Sequence, residues 1–332
     1  MKKIRNLLLI ILVLVVALAG HGEVKAAGPV QLKIATLGVG SSWYIYGATF
    51  AELLGKVVPK GSKIDVLPYS GSIGNPKLVS KGDADLGLGM GIVAGWAYEG
   101  KYKFDKKYPK LRAIVGALDQ YYYAVIARED LGINSLSDIK NKKMAVKIVT
   151  QPTGSLNAVM SIQVLDAYGI TKKDIEKYGG RITHTSNDVI ASDMKDGRAN
   201  LWFQPATAGH PNVSSVAVTT KLKFLPYDDA VIKKLGSQYG FAPATMPAGA
   251  FKGQDKDVSM VGFKTSLFAS ADMSEDLAYL VTKTLCENAE KLQSAHKGMA
   301  SFDPSKAWEK QYTGLPLHPG AEKYYREKGY MK

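Results

Sequence analysis

The sequence predicts an α/β protein built from two lobes of similar plan, and three observations carry that prediction. Strand-like runs alternate with helical ones along the globular part of the chain. Three times the step from strand to helix passes through a turn rich in glycine, serine and threonine, at residues 38–42, 70–75 and 150–155. Finally, Lys81-Gly82-Asp83-Ala84-Asp85-Leu86 is echoed by Asp196-Gly197-Arg198-Ala199-Asn200-Leu201, in each case a helix ending at glycine before a strand begins. Alternation of this kind implies parallel pairing of strands covered by helices. Open sheets of that class bind ligands beyond the carboxyl ends of their strands, where all three turns fall.

The elements follow in order. Leu32, Ile34 and Thr36 alternate as in a short strand, and Ile45, Ala48, Leu53 and Val57 fall near one face of the helix that follows. Ser41 or Ser42 is its expected N-cap, a hydroxyl that accepts from an otherwise unpaired N–H of the first turn. Glycines admit close backbone approach, serines donate, and the helix start adds about half a positive charge, so this stretch suits an anion. An ordinary strand-to-helix connection that binds nothing is the alternative reading. A second strand is read at 63–68, a short helix at 76–80 with Pro76 in its first turn, a glycine-rich strand at 84–89 and an apolar stretch at 92–98. Strand-like runs at 111–118 and 122–128 make the first crossing between lobes. Lobe two then opens with a helical turn at 136–139, a strand at 143–148 and a helix at 156–168. One strand, 259–268, brings the chain back. A long helix, 274–294, is capped by Ser274 and buries Leu277, Leu280, Val281 and Leu285, and the tail 316–329 lies on the surface of lobe one. Lobe one is thus expected over 27–124 plus 263–332, and lobe two over 125–262.

The 332 residues, 46% apolar and 22% charged, suffice for two ordinary domains and exclude disorder as the main state. The first residues stand apart. Lys2, Lys3 and Arg5 precede the unbroken apolar run 7–19, and Val24, Lys25 and Ala26 make a small-residue cleavage site, the pattern of an export signal covering residues 1–26. A run of that length falls short of the roughly 20 residues of a membrane span. With no cysteine near the site, a freely diffusing, periplasmic protein is expected rather than a lipid-anchored one. Cys286 is the sole cysteine, so the fold has no intramolecular disulfide, and its apolar surroundings mark it as a small core residue. Loss of Lys2, Lys3, Arg5 and Lys25 together with Glu23 lowers the net charge from +13 to +10. A basic balance favours anionic ligands, but the lysines are scattered and not interleaved with aromatics, so nucleic acid is not an expected partner.

Sites for chemistry are not evident. The sequence holds neither a Gly-x-Ser-x-Gly elbow nor a His-Glu-x-x-His pair. His21, His184, His210, His296 and His318 are never within four residues of one another, so no local metal pair exists. His210 and His318, each before a proline, read as loop residues. Nucleotide fingerprints are missing as well, and neither metal nor cofactor is expected. A small organic anion fits the turns better, and the chain reads as a binding protein rather than an enzyme. A secreted enzyme on the same scaffold and a ligand sensor for a membrane receptor are the other readings.

The export signal, the opening LKIATLGVGSSWYIYGATFAELL, the turn Gly71-Ser72-x-x-Asn75 with the KGDADLGLG strand, and the closing PLHPGAEKYYREKGY together resemble the TAXI family of TRAP-transporter solute-binding proteins. The resemblance covers nearly all of the chain after the signal, and the closing stretch is its most specific motif. It implies a type II periplasmic-binding-protein fold, with a ligand cleft between two α/β lobes and delivery of a small carboxylate, dicarboxylate or glutamate-like, to the subunits of a TRAP-type membrane transporter. By position, Gly40, Ser41, Ser42 and Tyr44 would hold the carboxylate, with Gly71, Ser72 and Asn75 from the second turn. Met90 stands past the strand, and Thr153, Gly154 and Ser155 face them from lobe two. Trp202 and Phe203 are expected on the apolar side. Where the family usually has Glu this chain has Gly74, and where it often has Gln-Ser-Asp it has Gly89, Met90 and Gly91. The family's Gly-Ser-Gly-Thr is here Thr153, Gly154, Ser155 and Leu156. These departures remove groups that would hold an ammonium.

Overall fold

The computed structural model describes residues 28–331 apart from Gly40, Ser70 and Gly154. The expected export signal and its cleavage point therefore lie outside the described residues. Lobe one opens with β1 (Gln31–Ala35), α1 (Ser42–Gly55), β2 (Lys63–Leu67), α2 (Asn75–Lys81), β3 (Leu86–Met90), α3 (Gly91–Glu99) and β4 (Leu111–Val115). Lobe two holds β5 (Tyr121–Arg128), α4 (Ser137–Asn141), β6 (Lys147–Thr150), α5 (Leu156–Ala167), α6 (Lys172–Lys177), β7 (Arg181–His184), α7 (Asn187–Lys195), β8 (Leu201–Ala206), α8 (Pro211–Thr219), β9 (Leu222–Phe224), α9 (Asp229–Tyr239), β10 (Ala242–Met246) and β11 (Val258–Phe263). The chain returns to lobe one through β12 (Thr265–Ser270), α10 (Glu275–Glu287), α11 (Ala289–Ala295), α12 (Lys310–Thr313) and α13 (Pro319–Glu327). Among the described residues no helix is long and apolar enough to cross a membrane.

Each lobe is built on one sheet. The first runs β2-β1-β3-β12-β4, and the second runs β10-β11-β5-β8-β6-β7 with β9 beside β5. In the first, β1 pairs parallel with β2 and β3, and β12 then runs antiparallel to β3. In the second, β6 pairs parallel with β7 and β8, and β5 runs antiparallel to β8. The two sheets therefore share a core of one order, each with a strand contributed from the far side of the crossing. The sequence echo has a structural counterpart. Asp85 Oδ2 accepts from the Lys33 amide at 2.8 Å, and Asn200 Oδ1 accepts from the Lys147 amide at 2.7 Å. In both lobes this side chain fastens the start of one strand to its parallel neighbour, β3 to β1 and β8 to β6. Gly82 and Gly197, with φ of 81° and 72°, take the left-handed conformation in front of each.

Three details differ from the sequence reading. First, α1 turns Trp43, Tyr46, Phe50 and Leu54 inward, while Ile45 and Val57 are 39% and 47% exposed and Ala48 is exposed too. Only Leu53 of the expected face is buried, because the aromatic rings carry more apolar area and take the sheet side. Gly47 lies on that side, where a Cβ would stand 2.5 Å from Thr36 Cγ2, so its lack of a side chain sets how closely α1 approaches the sheet. Second, residues 259–268 form not one strand but two, β11 and β12, broken at Lys264 and belonging to different sheets. The long helix expected over 274–294 is likewise two, interrupted at Asn288. Third, the tail is core rather than surface: Leu317 bridges to Ala113, and Tyr324 and Tyr325 of α13 are buried against α10. Cys286 packs there too, its thiol pushed up to about 12 by burial.

The two connections between sheets, residues 116–120 and Lys264, are fastened to each other. Thr265 donates to Asp119 twice, from its amide to Oδ1 at 2.8 Å and from its hydroxyl to Oδ2 at 2.8 Å. Both contacts have anchors in α1, since Tyr46 OH donates to Asp119 Oδ2 at 3.2 Å and Trp43 Nε1 donates to Thr265 Oγ1 at 3.0 Å. Asp119 is fully buried, and desolvation pushes its carboxyl from 3.8 up to about 6 against the pull of those donors. The folded state thus holds the proton more tightly than the unfolded chain. The stabilisation this gives is full below pH 3.8 and is lost as pH rises through about 6. Asp119→Asn removes the titration, so the unfolding free energy of wild type relative to the variant is expected to fall by about 3 kcal/mol between roughly pH 4 and 7. Urea titrations across that range check it, and a difference independent of pH contradicts it.

Candidate functional site

A cleft of about 710 Å³ lies where the carboxyl ends of β1 and β3 meet those of β6 and β8, and residues from both sheets line it. Its walls are made largely of helix starts. Ser41, Gly74, Met90, Ser155 and His210 are the N-cap residues of α1, α2, α3, α5 and α8, and Asn187 is the first residue of α7. The local sequence explains this, because each strand ends in a short turn that leaves the next helix pointing its N–H groups back over the sheet edge.

The starts are not equivalent. Ser41 Oγ accepts from the Tyr44 amide at 3.2 Å, and Ser155 Oγ accepts from the Ala158 amide at 3.1 Å, the same cap in both lobes. That leaves the amides of Ser42 and Trp43 in α1, and of Leu156 and Asn157 in α5, without an acceptor among the described residues. At α2 the amides are already used: Asn75 donates to Gly71 O, Pro76 has no N–H and Lys77 donates to Gly74 O. Of the starts capped by a serine side chain, α1 from lobe one and α5 from lobe two thus each bring open amides to the cleft lining.

Charge in the cleft has one sign. Lys77 is the one Lys or Arg among the described lining residues, its ammonium group over the ring of Phe104, a residue outside the lining, 5.7 Å from the centroid. No Asp or Glu is among the described lining residues. Leu37, Trp43, Ile73, Met90 and Tyr121 supply apolar wall. Gln151, Asn157, Asn187 and Gln204 supply amides from lobe two. Of these, Asn157 is committed, donating to Phe203 O at 2.9 Å and accepting from Tyr123 OH at 2.7 Å. Burial pushes the His210 imidazole below its ordinary range, so it is neutral at neutral pH. No group of three or more His, Cys, Asp or Glu among the described residues is placed to hold a metal ion.

The residues expected at the site divide. Ser41, Ser42, Gly71, Ser72, Met90 and Ser155 line the cleft, and Ser72 Oγ accepts from the Met90 amide at 3.2 Å, which fixes the second turn against β3. Gly40 and Gly154 lie outside the described residues. Tyr44 is half-buried on α1 away from the lining, where Trp43 stands instead. Asn75 is fully buried and holds the lobe together: its Nδ2 donates to Ala35 O, Thr36 O and Leu88 O at 3.1, 2.9 and 2.7 Å. Thr153 is exposed beside a shallow groove with Tyr102 and Tyr239. Trp202 and Phe203, expected on the apolar side, are fully buried in the packing of lobe two and do not reach the cleft. The lining residue of β8 is Gln204, next in the strand. A glutamine interrupting the apolar run Leu201-Trp202-Phe203 was the available signal. Lys77, Tyr121, Gln151, Asn157 and Asn187 are not among the expected site residues, and His210 is expected only as a loop residue, because a place in the lining depends on how distant segments meet. The Gly91 departure has a steric basis, since a Cβ there would sit 1.9 Å from Tyr312 O.

Two mixed sheets joined by two connections, with a cleft at the strand ends, is the architecture of the periplasmic solute-binding proteins. A TctC solute-binding protein from Polaromonas, solved without ligand, matches at a TM-score of 0.51 and 15% identity, over 91% of this chain and 98% of its own. PhnD1 from Prochlorococcus marinus (MIT 9301), in complex with methylphosphonate, matches at a TM-score of 0.51 and 14% identity, over 92% of this chain and 100% of its own. The sequence model of the NMT1-like family matches residues 34–329, and the chain belongs to that family.

The two serines of the first turn have separable roles. Ser41→Ala removes the cap of α1 and is expected to lower stability by about 1 kcal/mol, whereas Ser42→Ala, whose hydroxyl has no partner among the described residues, is expected to stay within about 0.5 kcal/mol of wild type. Equilibrium unfolding in urea measures both. Equal losses would show that Ser42 too is structural.

Proposed function

We propose that the protein is an extracytoplasmic solute-binding protein that captures a small carboxylate, dicarboxylate or glutamate-like in size, in the cleft between its lobes. Delivery to a TRAP-type membrane transporter is part of the same reading, which rests on the likeness to the TAXI family, and places the protein in the periplasm with its signal removed. The observation that carries it is the opposed pair of capped helix starts, α1 and α5, with unpaired amides, in a cleft whose described lining has Lys77 and no carboxylate. Such a field favours an anion and disfavours a cation. The fold admits small anions, as the methylphosphonate bound to PhnD1 illustrates.

Ser41, Ser42 and the α1 amides would hold the carboxylate from lobe one, with Ser72 and Lys77 beside them, and Ser155 and the α5 amides from lobe two. Charge-assisted hydrogen bonds contribute about 1.5–3 kcal/mol each. Three or four of them, after ordering costs, are consistent with micromolar affinity, about 8 kcal/mol. Contacts from the second lobe form only when the lobes meet, so the ligand favours the closed state by their sum. With Gly74 and Gly91 where the TAXI family carries acidic groups, no carboxylate in the described lining offers an ammonium a charged partner.

Two outcomes follow. In a thermal-shift screen, 2-oxo and hydroxy dicarboxylates are expected to raise the melting temperature more than glutamate does; a much larger shift with glutamate contradicts the reading. Ser41→Ala combined with Ser42→Ala is expected to weaken carboxylate binding by about tenfold or more, the loss of one charged hydrogen bond. Calorimetry giving unchanged affinity removes the first turn from the site.

A further inference from the structure

On the lobe-two wall, Gln204 and His210 form a pair that the anion contacts leave unused. Gln204 is 2% exposed, and its Nε2 donates to Pro205 O at 3.1 Å and lies 3.4 Å from His210 Nε2. The amide cannot be reversed without setting Oε1 against the Pro205 carbonyl, so the group facing His210 is a donor. His210 Nε2 is then the acceptor, and the ring proton sits on Nδ1. A doubly protonated ring would instead oppose two donors, and the low imidazole pKa caused by burial agrees with the neutral form. What remains is one buried acceptor, Gln204 Oε1, and one buried donor, His210 Nδ1–H, both without a partner in side chains that line the cleft. Buried polar atoms without partners are rare, and two on neighbouring side chains call for a group that answers both.

Resting on the capture reading above, we propose that Gln204 and His210 select a hydroxyl group on the bound carboxylate. The hydroxyl oxygen accepts from His210 Nδ1–H, and its proton is donated to Gln204 Oε1. Alternatives at that position of the ligand fail in a definite way. A keto or carboxylate oxygen accepts but leaves Oε1 unpaired, an ammonium donates but leaves Nδ1–H unpaired, and a methylene leaves both. A site with buried polar groups rejects the analogue that lacks their partner more strongly than an apolar pocket rejects an added group. The ligand class is therefore a small hydroxycarboxylate.

The test uses a matched four-carbon set, (S)-malate, succinate and L-aspartate, titrated by calorimetry into wild type, Gln204→Met and His210→Phe. Wild type is expected to bind malate at least about tenfold tighter than succinate or aspartate, the discrimination of one hydrogen bond. Each variant is expected to bring malate and succinate to equal affinity, with succinate bound at least as tightly as by wild type because an unpaired polar atom no longer opposes its methylene. His210→Phe removes an unpaired buried donor and is expected to leave the melting temperature of the ligand-free protein no lower, whereas Gln204→Met also takes the donor from His210 Nε2 and Pro205 O. The two variants are independent, so a folding defect in one leaves the other to decide. Equal malate and succinate affinities in wild type, as when a water molecule answers the pair, overturn the inference and leave the capture reading standing. A malate preference that survives both variants also overturns it. Failure of wild type to bind any of the three overturns the inference, and the capture reading, which admits other small carboxylates, falls only if a wider panel of carboxylates also fails to bind.

Discussion

The structure depends on one electrostatic constraint: helices from both lobes start at the same cleft, and their unpaired N–H groups meet there without a compensating negative charge. A helix end of this kind must find acceptors. Ser41 and Ser155 satisfy one amide each and leave two more open on either side. The remainder of the described lining respects the same sign, with Lys77 the only full charge. Gly91, which has no room for a side chain beneath Tyr312 O, keeps an acidic group from entering at α3. These features are what the proposed capture of an anion rests on.

The same helix that opens onto the cleft also holds the connections between lobes. Trp43 lines the cleft and donates to Thr265, and one turn later Tyr46 donates to Asp119. Asp119 lies in one connecting segment, Thr265 is the first residue of β12 directly after the other, and the two are bonded to each other. A displacement of the first turn of α1 is therefore felt at both connections through two side chains. In the proposed reading, capture at the start of α1 is linked to the connections between lobes through packed, hydrogen-bonded groups. The buried carboxyl at their centre is costly to charge, so this junction contributes most at low pH and loses that contribution as pH rises through about 6.

Much of this architecture was legible from the chain. The alternation of strands and helices, the glycine-serine turns and the echo of Lys81–Leu86 in 196–201 pointed to two lobes of one plan, and Asp85 and Asn200 do occupy equivalent places. What periodicity did not yield has physical reasons. On α1, aliphatic spacing selected Ile45, Ala48 and Val57, but the aromatic side won the sheet. Residues 259–268 hold two apolar runs around Lys264, Thr265 and Ser266, and a polar step of that length does not by itself say that two sheets part there. In the cleft, glycine and serine turns were visible because they shape the backbone. Amides such as Gln151, Asn187 and Gln204 were not, since their role is set by neighbours far away in sequence. Trp202 and Phe203 were drawn into the expected site by their aromatic character, which core packing explains better.

The claim at the centre of this account is that full negative charge, rather than shape, is what the opposed helix starts recognise. Calorimetric titration of a panel of small mono- and dicarboxylates beside their neutral primary amides tests it most directly, because each pair is matched in size and differs in charge. The account predicts that at least one carboxylate binds with micromolar affinity and that its amide binds about a hundredfold more weakly, the loss of two charge-assisted contacts. An amide that binds as tightly as its carboxylate, or a panel in which no carboxylate binds, would contradict it.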